Sequence, residues 1–247
     1  NLITYRPDLN LHKYVIKKSF LDYGDPDLLS HCMLHALPIR MAIDFKIPLV
    51  LLGENSAYEY SGSNKKKFNE REMTYEWFKY YAANSGITPS EFAKRYSINE
   101  KSIKMYDLPK NQELNKTNAV FCSYFFKWSS EENFKIAKKY GFKALTKSSE
   151  GTYRTYVGID EKINRIHQYL KLIKFGYGRA TDHACEDIRN SKITRNEGIL
   201  LVLKHDRKNL SEKIVNDFIN FINISKKQFY KTIEKNRNNK IWKLNSL

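Results

Sequence analysis

"IPLVLLGENSAYEYSG", residues 47–62, decides how the rest of the chain is read. Pro48 is followed by four aliphatic residues, Leu49 to Leu52, and the run stops abruptly at Gly53-Glu54-Asn55. A short apolar run between a proline and a glycine predicts a strand buried on both faces. Just before it, "DPDLLSHCMLHALPIRMAIDFK" (25–46) repeats Leu29, Met33, Leu37 and Met41 every four residues, which predicts a helix. Pro38 should bend that helix or divide it. Helix, apolar strand and glycine turn are the rhythm of an α/β sheet covered by helices on both faces.

Upstream, residues 2–5 read as a short strand, and "PDLNLHKYVIKKSFLDYG" (7–24) reads as a helix ending at Gly24. Downstream of Gly62, strand patterns thin out and helix starts multiply. Thr88-Pro-Ser-Glu91 is a capping box with proline at the first helical position. Ser129-Ser-Glu-Glu132 opens a helix expected to pack Phe134, Ala137 and Tyr140 and to stop at Gly141. Residues 160–175 place Ile163, Ile166, Leu170 and Ile173 on one face. Thr194-Arg-Asn-Glu197 caps a helix containing "GILLVL", and Ser211 and Ser225 begin two more. There is no internal repeat and no low-complexity linker. The organisation predicted is an α/β nucleotide-binding part over 1–62, followed by a mostly helical region over 63–247 packed on it.

The 247 residues, 41% apolar, are enough for one large domain or two small ones. No apolar run approaches the roughly 20 residues that cross a bilayer. Three widely spaced cysteines argue against a disulfide framework and suit a reducing cytosol, so a cytoplasmic location is expected. A net charge of +16 fits a nucleic-acid surface, an enzyme for phosphorylated or acidic-sugar ligands, or a lysine-rich composition. The basic residues are spread along the chain, with runs only at Lys65-Lys66-Lys67 and from Lys231 to Lys243. Two segments, "SEFAKRYSINEKSIKMY" (90–106) and "DFINFINISKKQFYKTIEKNR" (217–237), imitate a helix-turn-helix. A nucleic-acid-binding protein is therefore the rival class, but it leaves the acidic loop unexplained.

In open α/β sheets ligands bind beyond the carboxyl ends of strands, which is where Glu54 and Glu59 fall. A carboxylate there can hold a magnesium ion or take a proton from an attacking amine. Gly53 allows close approach, and backbone amides near Asn55 and Ser56 can cradle an anion. The alternative is a polar turn that only caps a strand. His31, Cys32 and His35 in "SHCMLH" have the spacing of a partial metal site or of a buried helix face with histidines at its polar edge, and Cys122 in "AVFCSYFF" reads as core.

"LVLLGENSAYEYSG" (49–62) resembles the strand and loop of bacterial N-acetyl sugar amidotransferases, PP-loop ATP-pyrophosphatase enzymes of lipopolysaccharide and flagellin glycan synthesis, including the pseudaminic acid branch. It is more distantly similar to the Gly-Glu-acid loop of asparagine synthetases. The resemblance continues in "YFFKWSSEENFKIAKKYGFK" (124–143) and in "IKFGYGRATDHACEDIRNSKITRNEGI" (173–199), where the family carries a similar Gly-Arg-Ala-Thr-Asp stretch. The superfamily's Ser-Gly-Gly-x-Asp-Ser phosphate loop is not found in these residues, and the chain reads as N-terminally truncated.

The resemblance implies a partial PP-loop parallel sheet and conversion of an N-acetyl group to an acetamidino group. Transfer of AMP to the amide oxygen would make it a leaving group and release pyrophosphate. Ammonia from a separate glutaminase partner would then attack, and AMP would depart with the oxygen. The implied cofactors are ATP and magnesium, and the substrate is an acetamido sugar. Glu54 would coordinate magnesium or deprotonate ammonium, with Glu59 as a second carboxylate; Gly53, Asn55 and Ser56 would meet the nucleotide or amide. Arg179 would bind a phosphate or sugar carboxylate, oriented by Asp182, with Gly176 and Gly178 freeing that turn to close. Equally, Arg179 and Asp182 can be a salt bridge at a helix start. Arg40 and Lys127 read as surface charges. A noncatalytic fragment that binds a partner is a further alternative.

Overall fold

The computed structural model describes residues 2–54, 71–83, 87–127, 129–206 and 208–242. The chain divides into two compact units, residues 1–27 with 134–247, and residues 28–133. The boundary expected at residue 62 lies outside the described residues.

Helix α1 spans Leu9–Lys18; the Asp8 side chain accepts from the Leu11 amide, satisfying an end group that the helix itself leaves open. It runs into a π-helical turn, Ser19–Tyr23, and stops at Gly24 with φ +61°, as its sequence predicts. Residues 2–5 are not a strand. Leu2 is 92% exposed, and among the described residues no second strand lies beside it to pair with.

In the unit 28–133, α2 covers Leu28–Asp44 without a break, although Pro38 lies inside it. Strand β1, Leu49–Leu52, forms where expected. Its partner is β2, Asn118–Phe121, paired in parallel with Leu49 opposite Asn118 and Leu52 opposite Phe121. Only Leu52 is buried in β1; Leu49 and Leu51 are exposed, so the expectation of a strand covered on both faces fails. Helix α3, Pro89–Arg95, carries the complete Thr88/Glu91 capping box. Trp77, Phe78, Phe92, Tyr106 and Phe121 form the aromatic part of this core with Leu29 and Ile39 of α2. Cys122 is only half-buried, because β2 ends at Phe121 and the chain turns at once into a short helix, Cys122–Phe125.

Further on, α4 covers Ser130–Lys139; Phe134 stacks on Tyr156 at 4.2 Å, but Tyr140 is 88% exposed rather than packed. Among its described residues, the unit formed by 1–27 and 134–247 holds five more helices: α5 (Asn164–Phe175), α6 (Arg179–Arg189), α7 (Arg195–His205), α8 (Glu212–Ile222) and α9 (Lys226–Lys235). Ile166, Leu170 and Ile173 of α5 are fully buried, as their spacing predicts, against Ile16 and Phe20, Val215 and Phe218 of α8, and Phe229 of α9. Capping boxes at Thr194 and Ser225 are both formed.

The parts are thus mostly helical with a small parallel sheet. Of the two helix-turn-helix imitations, the first has a second helix of four residues, Glu100–Ile103. Among the described residues no helix is long and apolar enough to cross a membrane.

Candidate functional site

Helix α6 begins without a local cap. α5 closes at Gly176 in the left-handed region (φ +81°), and the residue before α6 is Gly178, which has no side chain to offer. The missing acceptor comes from the end of α7. Asp206, 3% exposed, takes the Gly178 amide at 2.9 Å, the Ala180 amide at 2.9 Å, and the Thr181 amide and hydroxyl at 3.1 and 2.6 Å. The first turn's amides and the positive end of the helix dipole are therefore met by a carboxylate of the chain itself. A Cβ on Gly178 would stand 2.5 Å from that carboxylate. The glycine is needed for close approach, which corrects the expectation that it frees the turn to close over a ligand.

One turn into α6, Asp182 receives the Lys171 ammonium and lies 3.7 Å from Arg179, so the helix-start salt bridge is formed. The side chains of Lys171, Asp182 and Arg179 are 13, 17 and 22% exposed, leaving Arg179 the most accessible. Burial pulls Lys171 down, and the Asp182 charge works against that pull. Its ammonium also stands 4.7 Å from the centre of the Tyr177 ring.

The same face of α6 continues with His183, Glu186 and Asp187. His183 is 3% exposed; burial and the cations Arg179, Arg154 and Lys171 keep it neutral, and its Nδ1 lies 2.9 Å from the Thr152 hydroxyl. Arg154 bonds Glu186 and Asp187 at 2.7 Å each, and the Tyr153 hydroxyl donates to Asp187 at 2.5 Å. Burial and Asp187 hold that phenol protonated. The most accessible charged side chain of this region, Arg179, has the planar fork that binds carboxylate or phosphate.

The other predicted residues belong to the unit 28–133. Gly53 and Glu54 are exposed, and a Cβ on Gly53 would meet nothing within 4 Å. Asn55, Ser56 and Glu59 lie outside the described residues. No group of three His, Cys, Asp or Glu side chains among the described residues converges to hold a metal ion.

His31 Nδ1 and the Cys32 thiol both lie against the Ala82 carbonyl, at 3.2 and 3.3 Å. His35 is not at a polar edge: it is 4% exposed and meets the Trp77 ring at 5.2 Å. Burial, with His31, pushes it down to about 3, so it is a neutral core imidazole. Arg40 is not a free surface charge, since its Nε donates to the Asp107 carbonyl at 2.6 Å; Lys127 is exposed.

Sequence reading missed two groups. Asp206 carries no local motif; the hint is a helix start without a capping side chain. The second group is an Asp25–His167 pair at 2.9 Å beside Asp27 and Glu161. Burial alone would raise Asp25, but the His167 charge and hydrogen bond, with Lys174, bring it down to about 2. Burial raises Asp27 to about 7, with Glu161, Asp25 and Asp160 adding to the rise and His167 opposing it.

Comparison with known families bears on the segment that holds the Arg179 network. Residues 150–246 match the model described as LPS biosynthesis protein WbpG-like, C-terminal domain. This segment is similar to an LPS-biosynthesis family. No curated protein matches the chain. The matched range includes Arg154, Lys171, Arg179, Asp182 and Asp206, and it leaves out β1 and the Gly53-Glu54 turn.

Proposed function

We propose that the chain serves surface-glycan synthesis as an ATP-dependent amidotransferase, converting the N-acetyl group of an acetamido sugar, of the pseudaminic acid type, to an acetamidino group with ammonia from a glutaminase partner. The observation that carries the reading is the match of residues 150–246 to an LPS-biosynthesis domain, a match that spans the Gly178-Arg-Ala-Thr-Asp182 stretch. The Gly53-Glu54 turn after β1 adds the resemblance to the amidotransferase loop.

In this reading Arg179 holds an anionic group of the substrate, a carboxylate or phosphate, while Asp182, itself held by Lys171, orients its guanidinium. The buried Arg154–Glu186–Asp187 cluster keeps α6 in place behind them. Glu54 accepts a proton from ammonium. ATP and magnesium belong to the proposed reaction, and this chain's described residues are not assigned to hold them.

The test supplies the protein with ATP, magnesium, isotopically labelled ammonium and a panel of free and nucleotide-linked acetamido sugars. Mass spectrometry should find the label in the sugar in place of the amide oxygen. Arg179→Lys should raise KM for an acidic or phosphorylated sugar more than it lowers kcat, since the charge remains but the fork is lost. Absence of label from every sugar, with the protein folded and nucleotide present, overturns the reading.

A further inference from the structure

Helix α7 carries five consecutive apolar residues, Ile199 to Leu203. Such a run points to more than one side of a helix, so a folded protein must cover more than one side of it. Here the Gly198 side is covered and Leu201 and Val202 are partly buried: a Cβ on Gly198 would meet Ile188 Cδ1 at 2.9 Å and Ala184 Cβ at 3.6 Å, so α6 and α7 touch closely there. Ile199, Leu200 and Leu203 remain 46, 67 and 47% exposed. Single exposed leucines are ordinary, whereas a contiguous set along one helix marks an interaction surface.

The exposed side is also concave. A groove of about 310 Å³ runs between α6 and α7, with Cys185 and Ile188 on one wall, Ile199 and Leu203 on the other, and Trp242 at one end. Trp242 is fixed by its indole N–H, which donates to the Ile173 carbonyl at 2.9 Å. A trough between two packed helices is the shape into which a third helix sets its apolar ridge. The exposed charge of the two helices is mainly basic. Arg195 lines the groove with Asp206, whose carboxylate is taken up by the start of α6, and Arg189 and Lys204 are exposed against one exposed acid, Glu197. None of the three basic residues makes an ion pair among the described residues, and the chain as a whole carries +16.

We infer that the α6–α7 groove is the docking site for an amphipathic helix of another protein, one with leucine-like residues on one face and acidic residues beside them. Charge chooses this occupant over a second copy of the chain. A symmetric pair would set Arg189, Arg195 and Lys204 against their own counterparts, which like charges oppose. The concavity chooses it over a membrane, which offers a flat surface. The groove would serve in the same way whichever sugar reaction the chain supports.

The probes are two labelled helical peptides with leucine at heptad core positions, one with glutamate and one with lysine elsewhere, titrated against the whole chain by fluorescence anisotropy. The glutamate peptide should bind at least about tenfold more tightly than the lysine peptide. Leu203→Asp should weaken it about tenfold or more, as truncation of a buried interface anchor does. Arg195→Glu should narrow or reverse the preference between the peptides. Both substituted side chains are exposed, so unchanged melting temperatures will separate lost docking from lost folding.

Equal binding of the two peptides, failure of the glutamate peptide to bind, or indifference to Leu203→Asp overturns the inference. So does a concentration-dependent dimer abolished by Leu203→Asp, which assigns the groove to a second copy. Flotation with phosphatidylglycerol vesicles that Leu203→Asp abolishes, without binding of the glutamate peptide, assigns it to a membrane and overturns the inference equally.

Discussion

The carboxylate of Asp206 accepts the Ala180 amide at 2.9 Å and so supplies, from the end of one helix, the cap that the start of another lacks. The same carboxylate holds three further donors of Gly178 and Thr181. Asp206→Ala leaves buried amides unmet, and urea denaturation should show a loss of about 2–3 kcal/mol. Gly178→Ala should destabilise through the 2.5 Å approach of its new Cβ to the carboxylate. Because the two changes act on one contact, Gly178→Ala should cost less in the Asp206→Ala background; strict additivity would contradict the capping role.

Arg154 is 5% exposed and serves two carboxylates at once. Arg154→Met keeps bulk but strands Glu186 and Asp187 without their cation. The expected loss is roughly 3 kcal/mol, because removing one side of a buried ion pair leaves uncompensated charge. Acidification should recover part of the loss by neutralising the stranded carboxylates, and melting curves across pH read that recovery.

The Asp25, Asp27 and His167 cluster should make stability depend on pH in two opposite ways. Asp25 is held at about 2, below the ordinary 3.8, so its contribution is present above 3.8 and lost as pH falls through about 2. Asp27 is raised to about 7, so the folded protein favours its neutral form and loses stability as pH rises from 3.8 through 7. Asp27→Asn should therefore raise the melting temperature at pH 8 by a few degrees, with the gain shrinking toward pH 4. His167 is raised, which keeps its contribution to the Asp25 pair present below 6.5 and lost at higher pH.

Glu54 is exposed, so Glu54→Gln should leave the melting temperature unchanged. In the proposed reaction it should reduce amidine formation at least about a hundredfold, as loss of a general base does. Undiminished turnover would remove Glu54 from the chemistry.

The features read correctly from the sequence are those whose cause is local. Thr88 and Thr194 each stand three residues before a Glu, and both caps form because the partners lie within one turn; Ser225 begins its helix as read, and the structure adds a box with Gln228. Leu49 to Leu52 is a strand because proline and glycine bound an aliphatic run. Its partner escaped notice because Asn118–Phe121 is four residues long and passes directly into a helix, giving no periodicity to detect. Residues 2–5 have strand-like composition but no neighbouring strand among the described residues, and a strand is made by its neighbour. In the Arg179 region the charges were visible as residue types, but the acceptor that organises them lies 28 residues beyond Gly178, at Asp206. Likewise the "GILLVL" run reads as part of a helix, and only the packing of α6 on one side of it reveals an exposed face.

Helix α1 and the turn after it find their place late in the chain: the Lys17 ammonium donates to the Asn223 carbonyl across 206 positions, and Ile16 and Phe20 pack on Ile166 of α5, Val215, Phe218 and Phe229. During synthesis on the ribosome those apolar side chains emerge before residues 28–133 and wait while that unit is made and can settle by itself. The order of translation thus runs against the order of assembly for this unit. A nascent chain paused before α8 should be a substrate for holding chaperones and proteases, and one released after α9 should not.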